Sequence, residues 1–191
     1  MKGFRLTERE ESGTNRLALR RTQAQPSAAV PRRGPVRGAR QIDALDQGII
    51  EALQTNGRES FRRIADRLGV SEATVRARYT RLSAGDMLQV VAVTNPLGLG
   101  FEQALVGVKT AGSPEPVADE IAGWPEADYV VVTAGQYDVL VEIVAADRRE
   151  LLDITNRMRA IDDVVSTETF LYLDMVKQLY DWGTRVKGDG R

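Results

Sequence analysis

The chain of 191 residues contains no cysteine and no histidine. Without cysteine there is no disulfide framework, thiolate metal site or cysteine nucleophile, and without histidine the side chain that titrates nearest neutral pH is missing. No clustered carboxylate pair has metal-ligand spacing either, so neither metal nor cofactor is expected. The "GLG" of residues 98–100 lacks the further glycine and the strand-turn-helix setting of a dinucleotide loop. An enzyme is therefore not expected. Long apolar runs are also absent: nothing approaches the ~18 residues of a membrane span. The opening MKGFRLTEREESG has no apolar core of the signal-peptide kind. These absences lead to the expectation of a cytoplasmic protein with no membrane partner.

What is present is 42% apolar residues, enough to bury a sizeable core in one large or two small domains, and a segregated charge. The net charge of -1 conceals ten Lys and Arg against three Asp and Glu over residues 1–40, and seven against three over 58–81. Residues 92–191 reverse this, with nine against seventeen. A basic front points to a polyanion, because cationic side chains release counterions from phosphate.

Residues 1–40, which include QPSAAVPRRGPVRGAR, show no apolar periodicity and read as a disordered basic tail, either a passive extension or an auxiliary arm for DNA. From Ile42 the spacing becomes helical. Leu45, Ile49 and Leu53 recur every fourth residue behind an N-cap at Asp43, and Asn56-Gly57 stops the helix. Gly48 inside this helix marks close packing of a neighbour. Ser60 caps a second, short helix with Phe61, Ile64, Ala65 and Leu68 on one face, ended by Gly69. Ser71 caps a third, with Val75, Tyr79 and Leu82 inward. After Gly85 the β-branched run MLQVVAVTNPLGLG reads as an extended connector. Beyond it the pattern is strand QALVGVKT, helix EPVADEIAGW, strands ADYVVVTA and YDVLVEIVAA, helix RRELLDITNRMRAI and strand VSTETFLYL. Val117, Ile121 and Trp124 share a face of the first of these helices, and Leu151, Ile154 and Met158 a face of the second. On the third strand alternation places Tyr137, Val139, Val141 and Ile143 on one side and Asp138, Leu140, Glu142 and Val144 on the other. Helices on one side leave the second side of the sheet to be covered, most simply by a second copy of the chain.

The fold class expected is α+β. A helix-turn-helix, winged-helix-like DNA-binding domain spans 41–87, a strand or linker 88–100, a ferredoxin-like βαββαβ sandwich domain 101–180, and a flexible C-terminus 181–191. In the helix-turn-helix the third helix turns outward Glu72, Ala73, Arg76, Ala77, Thr80 and Arg81. Arg76 is the candidate for direct readout, since a guanidinium bonds a guanine edge bidentately, and Glu72 can accept from a cytosine amine. Arg62, Arg63 and Arg81 read as phosphate clamps, with Ser71, Ala73 and Thr74 at the helix start where free amides bind phosphate. The alternative for each arginine is a solvated helix face.

The stretch IDALDQGIIEALQTNGRESFRRIADRLGVSEATVRARYTRL resembles the DNA-binding domain of the Lrp/AsnC, or feast/famine, regulators. The shared motifs are Ile42-Asp43, Asp46, Ile49-Ile50, Gly57-Arg58 and the turn from Ala65 to Ser71. TAGQYDVLVEI stands where that family has its Gly-x-Tyr-Asp hairpin and STETFLYLDMVK where it has its closing strand, so the resemblance covers roughly 41–180. Tyr79 in place of the usual aliphatic residue, Gly48 and the long basic tail are departures. The resemblance implies a DNA-binding transcriptional regulator working on double-stranded DNA as a homodimer or a larger assembly of dimers, up to an octamer. It also implies a small effector, often an amino acid, bound in clefts between dimers near this hairpin. The residues it points to are Gly135, Gln136, Tyr137 and Asp138, with Phe170 and Tyr172 as an apolar wall. Gly135 would then permit a tight turn and Asp138 would accept from an ammonium group; in the other reading both serve only the turn. An architectural, nucleoid-type DNA-binding protein is the second reading of the basic front.

Overall fold

The structure, a computed structural model, describes residues 42–85 and 87–178. The basic tail expected over 1–40 and the C-terminus expected over 181–191 lie outside the described residues. The N-terminal helices are α1 (Ala44–Thr55), α2 (Phe61–Leu68) and α3 (Glu72–Ala84). Each begins where a short polar side chain satisfies a free amide. The Asp43 carboxylate accepts from the Asp46 amide at 2.8 Å while Asp46 accepts from the Asp43 amide at 3.2 Å, a reciprocal capping box. Ser60 Oγ accepts from Arg63 and Ser71 Oγ from Thr74. Helix α2 ends at Gly69 with φ 68, left-handed geometry that glycine adopts without a Cβ penalty. The three helices close over a core that includes Ile49, Leu53, Ile64, Val75 and Leu82. A Cβ on Gly48 would stand 2.7 Å from a Leu68 methyl group, so this glycine sets how closely α1 approaches α2.

Residues 87–95 of the connector have no strand partner among the described residues, and a 3-10 turn follows at Leu97–Leu99. Then come β1 (Glu102–Thr110), α4 (Pro114–Ala122), β2 (Ala127–Val132), β3 (Val139–Ala145), α5 (Arg148–Arg159) and β4 (Val164–Leu171). The sheet is antiparallel throughout in the order β2-β3-β1-β4. Both helices bury their apolar faces on one side of it. Val106, Val108, Val139, Val141 and Ile143 from the strands meet Val117, Ile121, Ile154 and Met158 in a second core.

The other side carries Gln103, Leu105 and Gly107 of β1. By register it also carries Leu140, Glu142 and Val144 of β3 and Phe170 of β4. Tyr137 belongs to this open side, contrary to the alternation expected from the sequence. A Cβ on Gly107, whose register partner is Leu140, would stand 2.6 Å from Tyr137 Cγ, and the Tyr137 ring meets Phe170 edge-on at 6.2 Å. The physical reason is that β3 starts only at Val139. Tyr137 lies in the turn before it, where period-2 alternation does not hold.

Candidate nucleic-acid interface and ligand hairpin

Helix α3 presents Glu72, Ala73, Arg76, Ala77 and Thr80 to solvent, together with Ser71 at its cap; Val75 and Leu82 on its opposite face are fully buried. Polar side chains on this face are already engaged. Thr74 is half-buried with Oγ1 2.8 Å from Ser71 Oγ, which ties it to the cap, and Thr80 donates its hydroxyl to the Arg76 carbonyl at 3.0 Å. Arg76 donates to Glu72 at 2.7 Å, one turn earlier, and its guanidinium lies 5.2 Å from the centroid of the Phe61 ring. Phe61 in turn packs against the half-buried Tyr79, ring centroids 5.0 Å apart. Glu72, read from the sequence as a base acceptor, thus steers Arg76 in the unbound molecule. The aromatic floor beneath that guanidinium comes from the start of α2, 15 residues earlier in the chain.

Arg62 and Arg63 are exposed on α2, with Arg63 3.9 Å from Glu59. Arg81 is placed otherwise. It too is exposed, with 52% of its side chain in solvent, but its guanidinium is bonded to the Asp46 carboxylate, whose side chain is 1% exposed; the half-buried Arg78 bonds both Asp46, at 3.2 Å, and Asp43. The Asp46 amide and the Arg78 guanidinium hold the Asp43 carboxyl below its ordinary pKa, and the two carboxylates raise that of Arg78. Stability from Asp43 is therefore present above its unfolded pKa and is lost as pH falls through the lowered folded value. Sequence reasoning passed over Arg78 and this network. The signal lay in two matched spacings of three, Asp43 and Asp46 on α1's cap against Arg78 and Arg81 on α3.

At the hairpin, the turn between β2 and β3 closes where the Thr133 amide donates to the Asp138 carbonyl at 2.9 Å and the Thr133 hydroxyl donates to the Tyr137 carbonyl. The Asp138 carboxylate accepts from the Thr110 amide at 2.9 Å, and the Asp138 amide donates to the Val108 carbonyl. Asp138 thus pins the turn to the end of β1. Gly135 and Gln136 form the exposed tip. Gly135 is not among the positive-φ residues, and nothing lies within 4 Å of where its Cβ would be. The turn itself does not require a glycine there, and what its lack of side chain leaves is open space beside the backbone. Tyr137 and Phe170 are brought together, and the half-buried Tyr172 donates its amide to the Gln103 carbonyl. Gly107, not singled out from the sequence, is the seat of Tyr137. A glycine inside a strand signals such a close approach.

Two family models match the chain: the AsnC-type helix-turn-helix domain over residues 42–83 and the Lrp/AsnC ligand binding domain over 103–182. An uncharacterised HTH-type transcriptional regulator of Pyrococcus horikoshii is 33% identical over 147 residues, 75% of this chain and 90% of the relative. The regulatory protein AsnC of Escherichia coli is 26% identical over 137 residues, 69% and 90% of the two chains. Among solved structures, the L-methionine complex of a transcriptional regulator from Neisseria meningitidis superposes with a TM-score of 0.63 at 20% identity, covering 75% of this chain and 97% of that one. A helix-turn-helix followed by a helix-covered antiparallel sheet defines a two-part regulator, and the chain belongs to the Lrp/AsnC family of transcriptional regulators. It is a DNA-binding regulator with a ligand-binding domain, not an enzyme.

Proposed function

We propose that the chain reads double-stranded DNA in the cytoplasm through the outward face of α3, and that a small amino acid bound at the Gly135–Asp138 hairpin changes its assembly or its hold on DNA. The observation that carries the first part is Arg76. It is exposed at the centre of a face whose neighbours Ala73 and Ala77 are short, so its guanidinium is the longest group available to a base edge. Its partner Glu72 is also exposed, and an exposed one-turn ion pair is worth only a few tenths of a kcal/mol, so guanine can displace it. Arg62 and Arg63 supply phosphate contacts that set register. Arg76→Ala is expected to cost about 1–3 kcal/mol at one operator position and to relax base preference there. Binding to a panel of single-position operator variants checks this. Equal weakening on every sequence would make Arg76 a phosphate contact instead.

For the ligand, the regulator of Neisseria meningitidis is solved with L-methionine, and a zwitterion of that kind suits the hairpin chemistry. Gly135 leaves the backbone approachable, Tyr137 and Phe170 offer an apolar wall, and the Asp138 carboxylate is half-buried at the foot of the turn. The carboxylate's bond to Thr110 makes a clean test available, because the amide side chain of an Asp138→Asn variant keeps an acceptor for the Thr110 N–H and loses only the charge. Asp138→Asn is expected to leave the fold intact and to weaken ligand affinity about tenfold or more, as a charge-assisted bond becomes neutral. Calorimetry with a panel of amino acids on both proteins measures it, and equal affinities would confine Asp138 to its structural bond.

We also propose that the open side of the sheet is closed by a second copy. Leu105, Leu140, Val144 and Phe170 lie there without a covering helix among the described residues. Apolar side chains left partly exposed together on one face suit a symmetric partner surface.

A further inference from the structure

We propose that Asp46 is a specificity-determining residue for DNA binding: by holding Arg78 and Arg81 of α3 within the domain, it withholds two cations from phosphate and so weakens sequence-independent binding. The inference rests on the DNA-facing role of α3 given above. All three arginines of α3 are ion-paired in the unbound molecule, but not to equivalent partners. Glu72, the partner of Arg76, is exposed and is solvated as soon as the pair opens.

Asp46 differs in kind. Its side chain is almost wholly buried, accepts from both Arg78 and Arg81, and is also bonded to the Asp43 amide. A phosphate that drew Arg81 away would leave the buried carboxylate with Arg78 as its one remaining cation, and a buried charge that loses a partner is more costly than an exposed one that does. Asp43 adds a second hold on Arg78. The arginines of α3 therefore divide into one held by an exposed partner, Arg76, and two held by a buried one, Arg78 and the half-exposed Arg81. Among the described residues before α3, sequence-independent attraction is left to Arg58, Arg62, Arg63 and Arg67, exposed on α2 and in the turn before it, alongside the basic residues of 1–40. A regulator gains specificity as much by weak binding to the wrong sites as by strong binding to the right one, because wrong sites vastly outnumber it.

The measurement is the salt dependence of full-length protein binding to a mixed-sequence duplex, followed by fluorescence anisotropy. Each phosphate contact contributes about 0.9 to the slope of log affinity against log salt. Asp46→Asn, which keeps the size and the acceptor for the Asp43 amide, is expected to bind this duplex more tightly at low salt, with a slope steeper by about 1–2 units. Arg81→Ala is expected to leave the wild-type slope unchanged, since Arg81 is not on a phosphate. A folded Asp46→Asn protein with an unchanged or shallower slope overturns the proposal. So does an Arg81→Ala slope shallower by about 1 unit, which would mean that Asp46 aims Arg81 at a phosphate. If circular dichroism shows Asp46→Asn to be unfolded, the Arg81→Ala slope decides alone. Wild-type protein that bound no duplex at all would overturn the DNA reading and this proposal with it, whereas a changed Arg81→Ala slope overturns this proposal only.

Discussion

Leu82→Ala is expected to abolish DNA binding while leaving the C-terminal sheet folded. Leu82 is fully buried in α3 and packs in the core formed with Ile49, Ile64 and Val75. Truncating a buried leucine costs about 2–5 kcal/mol, the lost transfer energy plus the cavity left behind. Stability scales at roughly 0.05–0.15 kcal/mol per residue, so a helical unit of this size holds only a few kcal/mol in all. The expected loss is thus comparable with everything that holds the three helices together.

The C-terminal core shares no residue with this one. Trp124, buried in that second core, provides the readout once the chain's other tryptophan is replaced, in a Trp182→Phe background. Its buried emission should unfold at the wild-type temperature in Leu82→Ala, while helical circular dichroism falls and the electrophoretic shift of an operator fragment disappears. Loss of the Trp124 signal in parallel with the helical signal would mean that the two cores unfold as one unit, and the account of separate cores would fail.

The helices were legible because their boundaries are local. Asp43, Ser60 and Ser71 cap the amides that follow them, and Gly69 takes the left-handed turn, all within four residues of the bonds they make. The βαββαβ order was legible for a related reason, since Val139, Val141 and Ile143 alternate with Leu140, Glu142 and Val144 at the period of a strand. What escaped was set by partners distant in sequence. The alternation was carried two residues too far, onto Tyr137, because nothing local reveals that β3 begins at Val139 and that Gly107 of β1 offers a seat on the opposite side. The ion pair of Arg81, a residue the sequence marks as an exposed phosphate clamp, is not legible there because its partner Asp46 lies 35 residues away, across the packing of α1 on α3. Period and caps identify which face of α3 looks outward, but not which of its charges another helix has already claimed.

The open side of the sheet yields the other large expected effect, Leu140→Glu. Leu140 is half-buried on β3, on the side opposite the buried Val139 and Val141, so its replacement leaves the helix-covered core untouched. In a symmetric dimer formed through this face the change occurs twice, once from each copy. Each new carboxylate would be withdrawn from water next to Glu142, with Gly107 opposite it on β1 offering no side chain as partner. An unpaired buried charge costs about 3–5 kcal/mol, so the dissociation constant is expected to rise by at least a hundredfold. Sedimentation at micromolar concentration should then show a monomer, with unchanged Trp124 emission in the Trp182→Phe background. DNA binding should weaken with it, because two recognition helices held by one dimer reach half-sites about one helical turn apart, whereas a monomer engages only one. A Leu140→Glu protein that sediments as a dimer and still binds a two-half-site operator cooperatively would place the dimer contact elsewhere and leave this face to another occupant.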